Sequence, residues 1–330
     1  TFDAMGPEEI GAHFSATISN TPLIAAAHGA FVLVNVIVVA RGVTKGIEKA
    51  VEILMPIFFL MLVGMVIYAS SIGDFAASSA FLLQPDFSEV TAGTFLSAIG
   101  QSFFSIGVGA GLMITYGAYL SRDQDIPGSA GLIVTADTLV AMVAGFAIFP
   151  LVFAYGLDPA GGPGLFFVTL PIAFSEMPHG ALVGGAVFTL ALFAAFTSSI
   201  SLLQIGVAWL GEKMGWNRLG ATIAIGALVW IFGVGHIYYP ALIDLFDGAT
   251  EGIGLPLGGL LIALFAGWAV RKAVLEEFGD KAPLTRALWP IAITIIAPLG
   301  IAVVLAFGLA QHLPGLAANF QTLLDQIRGG

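Results

Sequence analysis

Eight stretches of this chain stay apolar for the length of a bilayer crossing: residues 23–40, 50–72, 96–120, 129–155, 181–210, 219–236, 241–270 and 287–310. A helix needs about 20 apolar residues to cross roughly 30 Å of hydrocarbon, and each stretch is bounded by charged or turn-forming residues. The polar segments between them alternate in kind. Arg41, Lys45 and Lys49 follow the first stretch, Arg122 the third, Lys213 and Arg218 the fifth, and Arg271, Lys272, Lys281 and Arg286 the seventh. The intervening segments carry no Lys or Arg; Arg328 lies in the terminal tail. Basic loops stay in the cytoplasm, so both ends of the chain are expected outside, extracellular or periplasmic. The pattern predicts an all-α, polytopic transmembrane bundle: an extracellular segment 1–22, a membrane domain 23–310 and a C-terminal tail 311–330.

Composition agrees. The chain is 58% hydrophobic and 10% charged, with a mean hydropathy of +0.98, against about a quarter charged for soluble domains. The lipid bilayer of a plasma or inner membrane is its expected surroundings, and no nucleic-acid partner is expected. There are no cysteines among the 330 residues, which excludes disulfides and thiolate chemistry. The opening "TFDAMGPEEIGAHFSATISN" has no initiator Met, basic n-region or apolar core for export. Its outward placement suggests the C-terminal portion of a longer protein, with an odd number of spans before Thr1. Two outer segments stand out, "FAASSAFLLQPDFSEVTAGTF" and "LDPAGGPGLFFVTLPIAFSEMPHG"; the second has its own apolar patch and is expected to fold back against the outer mouth.

The third span is unusual, because Gly107, Gly109 and Gly111 recur at its centre. Gly costs about 1 kcal/mol relative to Ala inside a helix, and a freed carbonyl in hydrocarbon costs several more. One reading is an unwound centre whose carbonyls face a cation and whose second half points N–H groups at an anion. The other is close helix packing through small residues. A rival break is offered by "GIGLPLGG", Gly252 to Gly259, which contains Pro256.

Two features favour a site. Asp137 lies about a dozen ångströms into the fourth span by helical rise and is taken as the only acid well inside any span. An ionised carboxylate there costs about 2.5 kcal/mol or more, and no span supplies Lys or Arg to pair with it. A mobile cation, a proton or a group outside these residues is left as its partner, unless the carboxyl simply hydrogen-bonds a neighbouring helix. His28 also lies in a span, near the opposite face. In "ALFAAFTSSISLLQ", Ala194, Thr197, Ser198 and Ser201 form one stripe of a helix. Hydroxyls beside carbonyls suit a hard, monovalent cation, although such stripes also serve as glue between helices.

"GQSFFSIGVGAGLMITYGAYLSRDQDIPGSA", "FTSSISLLQ" and "IGLPLGGLLIALFAGW" closely resemble the bacterial neurotransmitter:sodium symporter family, over residues 20 to 310. The resemblance implies an inverted-repeat sodium symporter fold, incomplete because the first three helices are absent, with 96–120 as the broken sixth helix. It implies sodium-coupled amino-acid transport by alternating access, with no organic cofactor, and a fragment inactive by itself. Ser105 and Asp137 would ligate one sodium ion; Ala194, Thr197 and Ser198 would ligate the other. Phe104 would close over the amino acid, and Gly107, Ala110, Ser198 and Leu202 would shape its side-chain pocket. The backbone from Gly107 through Gly109 to Gly111 would face the substrate's polar end. Gln101 and Asp247 match the outer gate, Tyr119 and Glu212 the inner one.

Two departures from the family pattern refine the expectation. Asp137 stands where animal members usually carry Asn, and Ala141 replaces a chloride-binding Ser, so transport independent of chloride is expected. Ala110 is small where bulkier residues are frequent, which leaves room for a large aromatic or branched substrate. Other functions fit less well. An ion channel calls for a polar face running the length of several spans, and an aspartyl hydrolase calls for two facing carboxylates. Transport, with no enzymatic activity, is the expected function.

Overall fold

The computed structural model describes residues 7–121, 124–159, 165–239, 241–277 and 283–329; Arg122 and Lys281 of the basic loops lie outside them. Among the described residues, seven segments are long and apolar enough to span a membrane: Thr21–Ala40, Val43–Ile72, Ile126–Ala154, Gly180–Met214, Arg218–Tyr238, Ala241–Ala269 and Ala287–Leu323. The remaining apolar stretch, 96–120, is absent from that set for a physical reason. It is two helices, α5 (Ala92–Ile106) and α6 (Leu112–Gly117), each too short to cross alone.

Local chemistry sets the boundaries. The first helix, α1 (Pro7–Ser19), is followed by α2 (Thr21–Ala40), whose Asn20 cap accepts a hydrogen bond from the Leu23 N–H at 3.3 Å and whose first turn carries Pro22. After a π-helical turn at Val43–Glu48 comes α3 (Lys49–Ile72). The next helix, α4 (Phe75–Leu83), is capped by Asp74, which accepts from the Ala77 N–H at 2.9 Å. A reciprocal Thr91–Thr94 capping box opens α5, satisfying two N–H groups that a helix start leaves open. Then follow α7 (Ile126–Ala154), the short α8 (Leu170–Glu176), α9 (Gly180–Met214) and α10 (Arg218–Tyr238). The next span is compound: α11 (Ala241–Ala249), a π-turn Thr250–Gly254, α12 (Leu255–Leu264) and a second π-turn Phe265–Ala269. Finally come α13 (Arg271–Glu277), α14 (Pro283–Ile291) and α15 (Ala297–Gly329).

Two expectations change here. "GIGLPLGG" does not interrupt its helix: the backbone widens into a π-turn at 250–254 and continues as α12, with Pro256 two residues beyond the turn. The predicted tail is also helical, since α15 continues to Gly329.

The chain divides into two compact units, Thr1–Pro85 with Thr138–Val234, and Asp86–Asp137 with Gly235–Gly330. The first is built around α3, α7, α8 and α9, with Leu62, Met65, Leu151, Phe174, Val183 and Leu190 in its core. The apolar patch of the long outer segment thus folds inward as α8, and Phe174 is 1% exposed. Its ring lies where a Cβ on Gly184 would come within 2.9 Å. Phe174→Ala is therefore expected to destabilise the protein by about 3 kcal/mol, read as a lower unfolding temperature in detergent; an unchanged temperature would remove α8 from the core. Polar ties run through this unit: Tyr68 donates to the Pro178 carbonyl at 2.6 Å, and Arg218 donates to the Val39 carbonyl at 2.9 Å and to the Gln204 side chain at 2.7 Å. Large apolar side chains such as Leu60 and Leu182, 75% and 74% exposed, point outward as lipid-facing residues do.

Candidate functional site

The break is defined by two left-handed glycines. α5 stops at Gly107, whose φ of 68° takes the chain out of the helix while its N–H still donates to the Phe103 carbonyl at 3.0 Å. Residues 108–111 make a tight turn in which the Gly111 N–H donates to the Val108 carbonyl at 3.0 Å. Gly111, with φ 80°, then starts α6, and its carbonyl accepts from both the N–H and the hydroxyl of Thr115, at 2.9 and 3.0 Å. Positive φ is strained for any residue with a Cβ, which answers why glycine sits where it weakens a span. Among the described residues, no backbone N–H donates to the carbonyls of Ser105 or Ile106, the last two residues of α5. Orphan carbonyls at membrane depth are tolerated only where protein, water or a ligand meets them. α6 has six residues and hence little dipole, so what the break presents is chiefly oxygen.

At the end of α5, the Ser105 hydroxyl donates to Asp137 Oδ1 at 2.7 Å. The two lie 32 residues apart, and the partly buried Asp137 projects from α7. The carboxylate retains a second oxygen, and the only ion pair among the described residues is Lys49–Glu52. No group of three His, Asp or Glu side chains among the described residues gathers to hold a metal. One carboxylate with hydroxyl and carbonyl oxygens is instead a donor set for a hard, weakly charged cation.

The same unit holds an open cavity of about 280 Å³ lined by Gln101, Phe104, Asp247, Glu251, Gln311 and His312, among others. The structure therefore brings Gln101 and Asp247, the predicted outer-gate pair, to one cavity beside Phe104, which is 54% exposed. Glu251 was missed. It falls one helical turn after Asp247, inside the Ala241–Ala269 span, so Asp137 is not the only acid deep in a span. The signal was present, since acids at i and i+4 share a helix face. His312 fell in what reads as a tail. Tyr119, the inner-gate candidate in this unit, is exposed just beyond α6.

The remaining candidates stand on α9, in the other unit. The Thr197 hydroxyl donates to the carbonyls of Phe193 and Ala194, both at 3.1 Å, and Ser201 donates to the Thr197 carbonyl at 2.9 Å. Thr197 thus spends its proton within its own helix and keeps oxygen lone pairs available. Ser198 is exposed. Leu202, 52% exposed, lines an apolar cavity of about 370 Å³ with His28, Phe31, Asn35 and Ser199. There Ser199 donates to Asn35 Oδ1 at 2.6 Å. Glu212 lies in the last turn of the helix.

Comparison with known proteins is consistent across sequence and structure. The profile of the "Sodium:neurotransmitter symporter family" matches residues 12–320. An uncharacterized sodium-dependent transporter, YhdH, of Bacillus subtilis (strain 168) is 33% identical over 319 residues, covering 92% of this chain and 71% of that protein. An uncharacterized sodium-dependent transporter of Haemophilus influenzae is 33% identical over 289 residues, covering 83% of this chain and 63% of that protein. Among solved structures, MhsT in complex with L-phenylalanine superposes with a TM-score of 0.81 at 37% identity, covering 89% of this chain and 70% of that one.

Proposed function

Because the chain belongs to the sodium:neurotransmitter symporter family, we propose that it carries the ion- and substrate-binding part of a sodium-coupled amino-acid symporter working by alternating access. One observation carries the reading: the break at 107–111 leaves carbonyls open beside a Ser105–Asp137 pair held at 2.7 Å. In this assignment Ser105 and Asp137 contribute to one sodium site, and the Ala194 carbonyl with Thr197 and Ser198 contributes to a second. Phe104 closes over the amino acid, Gly107, Ala110, Ser198 and Leu202 shape its pocket, and the backbone from Gly107 through Gly109 to Gly111 faces the substrate's polar end. Gln101 with Asp247 forms the outer gate, and Tyr119 with Glu212 the inner one. The small Ala110 supports a large apolar or aromatic substrate, as does the 37% identical relative solved with L-phenylalanine. The protein sits in the plasma or inner membrane with residues 41–49 in the cytoplasm.

The chain spans 71% of the Bacillus relative and 63% of the Haemophilus one, so transport is assigned to the intact gene product and assayed with it. In proteoliposomes, an inward sodium gradient is expected to drive uptake of labelled phenylalanine, and uptake indifferent to sodium would reject the reading. Exchanging chloride for gluconate should leave the rate unchanged, because Asp137 supplies a fixed negative charge at the site. A large loss of rate in gluconate would show that the carboxylate does not take that part.

A further inference from the structure

The break is not a free loop. Gly109 lies against the start of α12 so closely that a Cβ on it would overlap the Leu255 carbonyl oxygen and come within 2.7 Å of the Leu255 carbonyl carbon. The contact is reciprocal: a Cβ on Gly258 would overlap the Gly109 carbonyl oxygen and lie 3.0 Å from its carbon. One turn away from the break, the Phe103 ring occupies the space a Cβ on Gly259 would enter, at 2.6 Å. The Gly109 oxygen is therefore turned onto α12, whereas the neighbouring Ser105 and Ile106 carbonyls remain open. A chain that has surrendered its own helical hydrogen bonds has no internal means of holding those oxygens at fixed separations. Backbone laid directly on the backbone of a continuous helix supplies that rigidity, and only two residues without side chains allow it.

We infer that α12 is the platform that positions the open carbonyls, and that Gly258 is a positioning residue for sodium binding through its contact with Gly109. The inference rests on the transport reading and adds to it a contact outside the ligand set. The π-turn immediately before α12 carries Glu251 into the outer cavity beside Asp247, so this same span bears on both the cavity and the break. Gly107 and Gly111 are then the pivots on either side of an anchored residue.

The test is Gly258→Ala in the full-length protein, measured in proteoliposomes as the sodium concentration for half-maximal uptake. Gly300→Ala on α15, whose Cβ would meet nothing within 4 Å, is the control. Displacing ligand oxygens by a fraction of an ångström is expected to raise half-saturating sodium on the order of tenfold, while maximal rate falls far less; the overlap also lowers the unfolding temperature below that of the control. A half-saturation equal to that of Gly300→Ala would overturn the inference, as would a lower unfolding temperature with sodium dependence unchanged, which marks a merely structural contact. Should Gly258→Ala fail to accumulate, Phe103→Leu relaxes the same interface without adding an atom. A several-fold rise in half-saturating sodium then supports the platform, and an unchanged value rejects it. Unmutated protein lacking sodium-driven uptake would reject the transport reading and this inference together, whereas active wild type with indifferent variants rejects the inference alone.

Discussion

Asp137→Ala is expected to abolish sodium-driven uptake. The carboxylate is the one formally charged ligand in the proposed site, and it also holds the Ser105 hydroxyl at 2.7 Å, so the substitution removes a ligand and releases the orientation of a second. Changes to residues that merely support a metal ligand cost about 10–100-fold in affinity, and loss of the ligand itself should cost at least as much. Uptake at physiological sodium should fall to background. Asp137→Asn separates the contributions: it keeps an oxygen beside Ser105 and removes the charge, so activity should survive in part at raised sodium. If Asp137→Ala transported with unchanged sodium dependence, the carboxylate would have no place in the ion site.

The second large effect is expected from Gly107→Ala. At φ 68° an L-residue pays roughly 1–2 kcal/mol, and the added Cβ would stand 2.7 Å from Leu112 Cδ1. Ala also favours continued helix by about 1 kcal/mol over Gly. All three effects push α5 to extend through the break, and an extended helix consumes the carbonyls that the site requires. Uptake should be lost while the protein still reaches the membrane and gains slightly in helical content by circular dichroism. Gly111→Ala is the graded comparison. Its φ of 80° is strained too, but its Cβ would meet nothing within 4 Å, so the loss should be smaller. Equal, wild-type transport by both variants would show that the left-handed turn is not needed.

These two residues also mark what could be read in advance. Gly107 and Gly111 are legible because a positive φ is a local demand, and a local demand leaves a glycine in the sequence. Gly109 is different: its missing side chain answers to Leu255 and Gly258, far along the chain, and no short pattern reveals that distance of approach. Asp137 was visible because a lone carboxylate in an apolar run stands out against its surroundings. Glu251 carried the same signal, but the run "LIDLFDGATEGIG" also contains Asp244 and Asp247, which reads as a polar span end. The π-turn that carries Glu251 inward has no compositional signature, since an i to i+5 register uses the same residues as an α-helix. "GIGLPLGG" misleads for a related reason: glycine and proline together suggest a break, yet helical backbone continues through both by way of the widened turn. His312 was hidden because Gln311 and His312 look like the edge of a membrane stretch, whereas α15 continues past them and its imidazole packs over Gly252.

The proposed ion site joins oxygens that the backbone leaves open at the break with Ser105 and Asp137. Equilibrium binding of radioactive sodium to the purified full-length protein addresses this directly, comparing wild type with the Ser105→Ala, Asp137→Ala double variant. Saturable binding by the wild type, weakened or reduced in stoichiometry in the double variant with its fold intact, is the predicted result. Equal binding by both proteins, at the same affinity and stoichiometry, would contradict it.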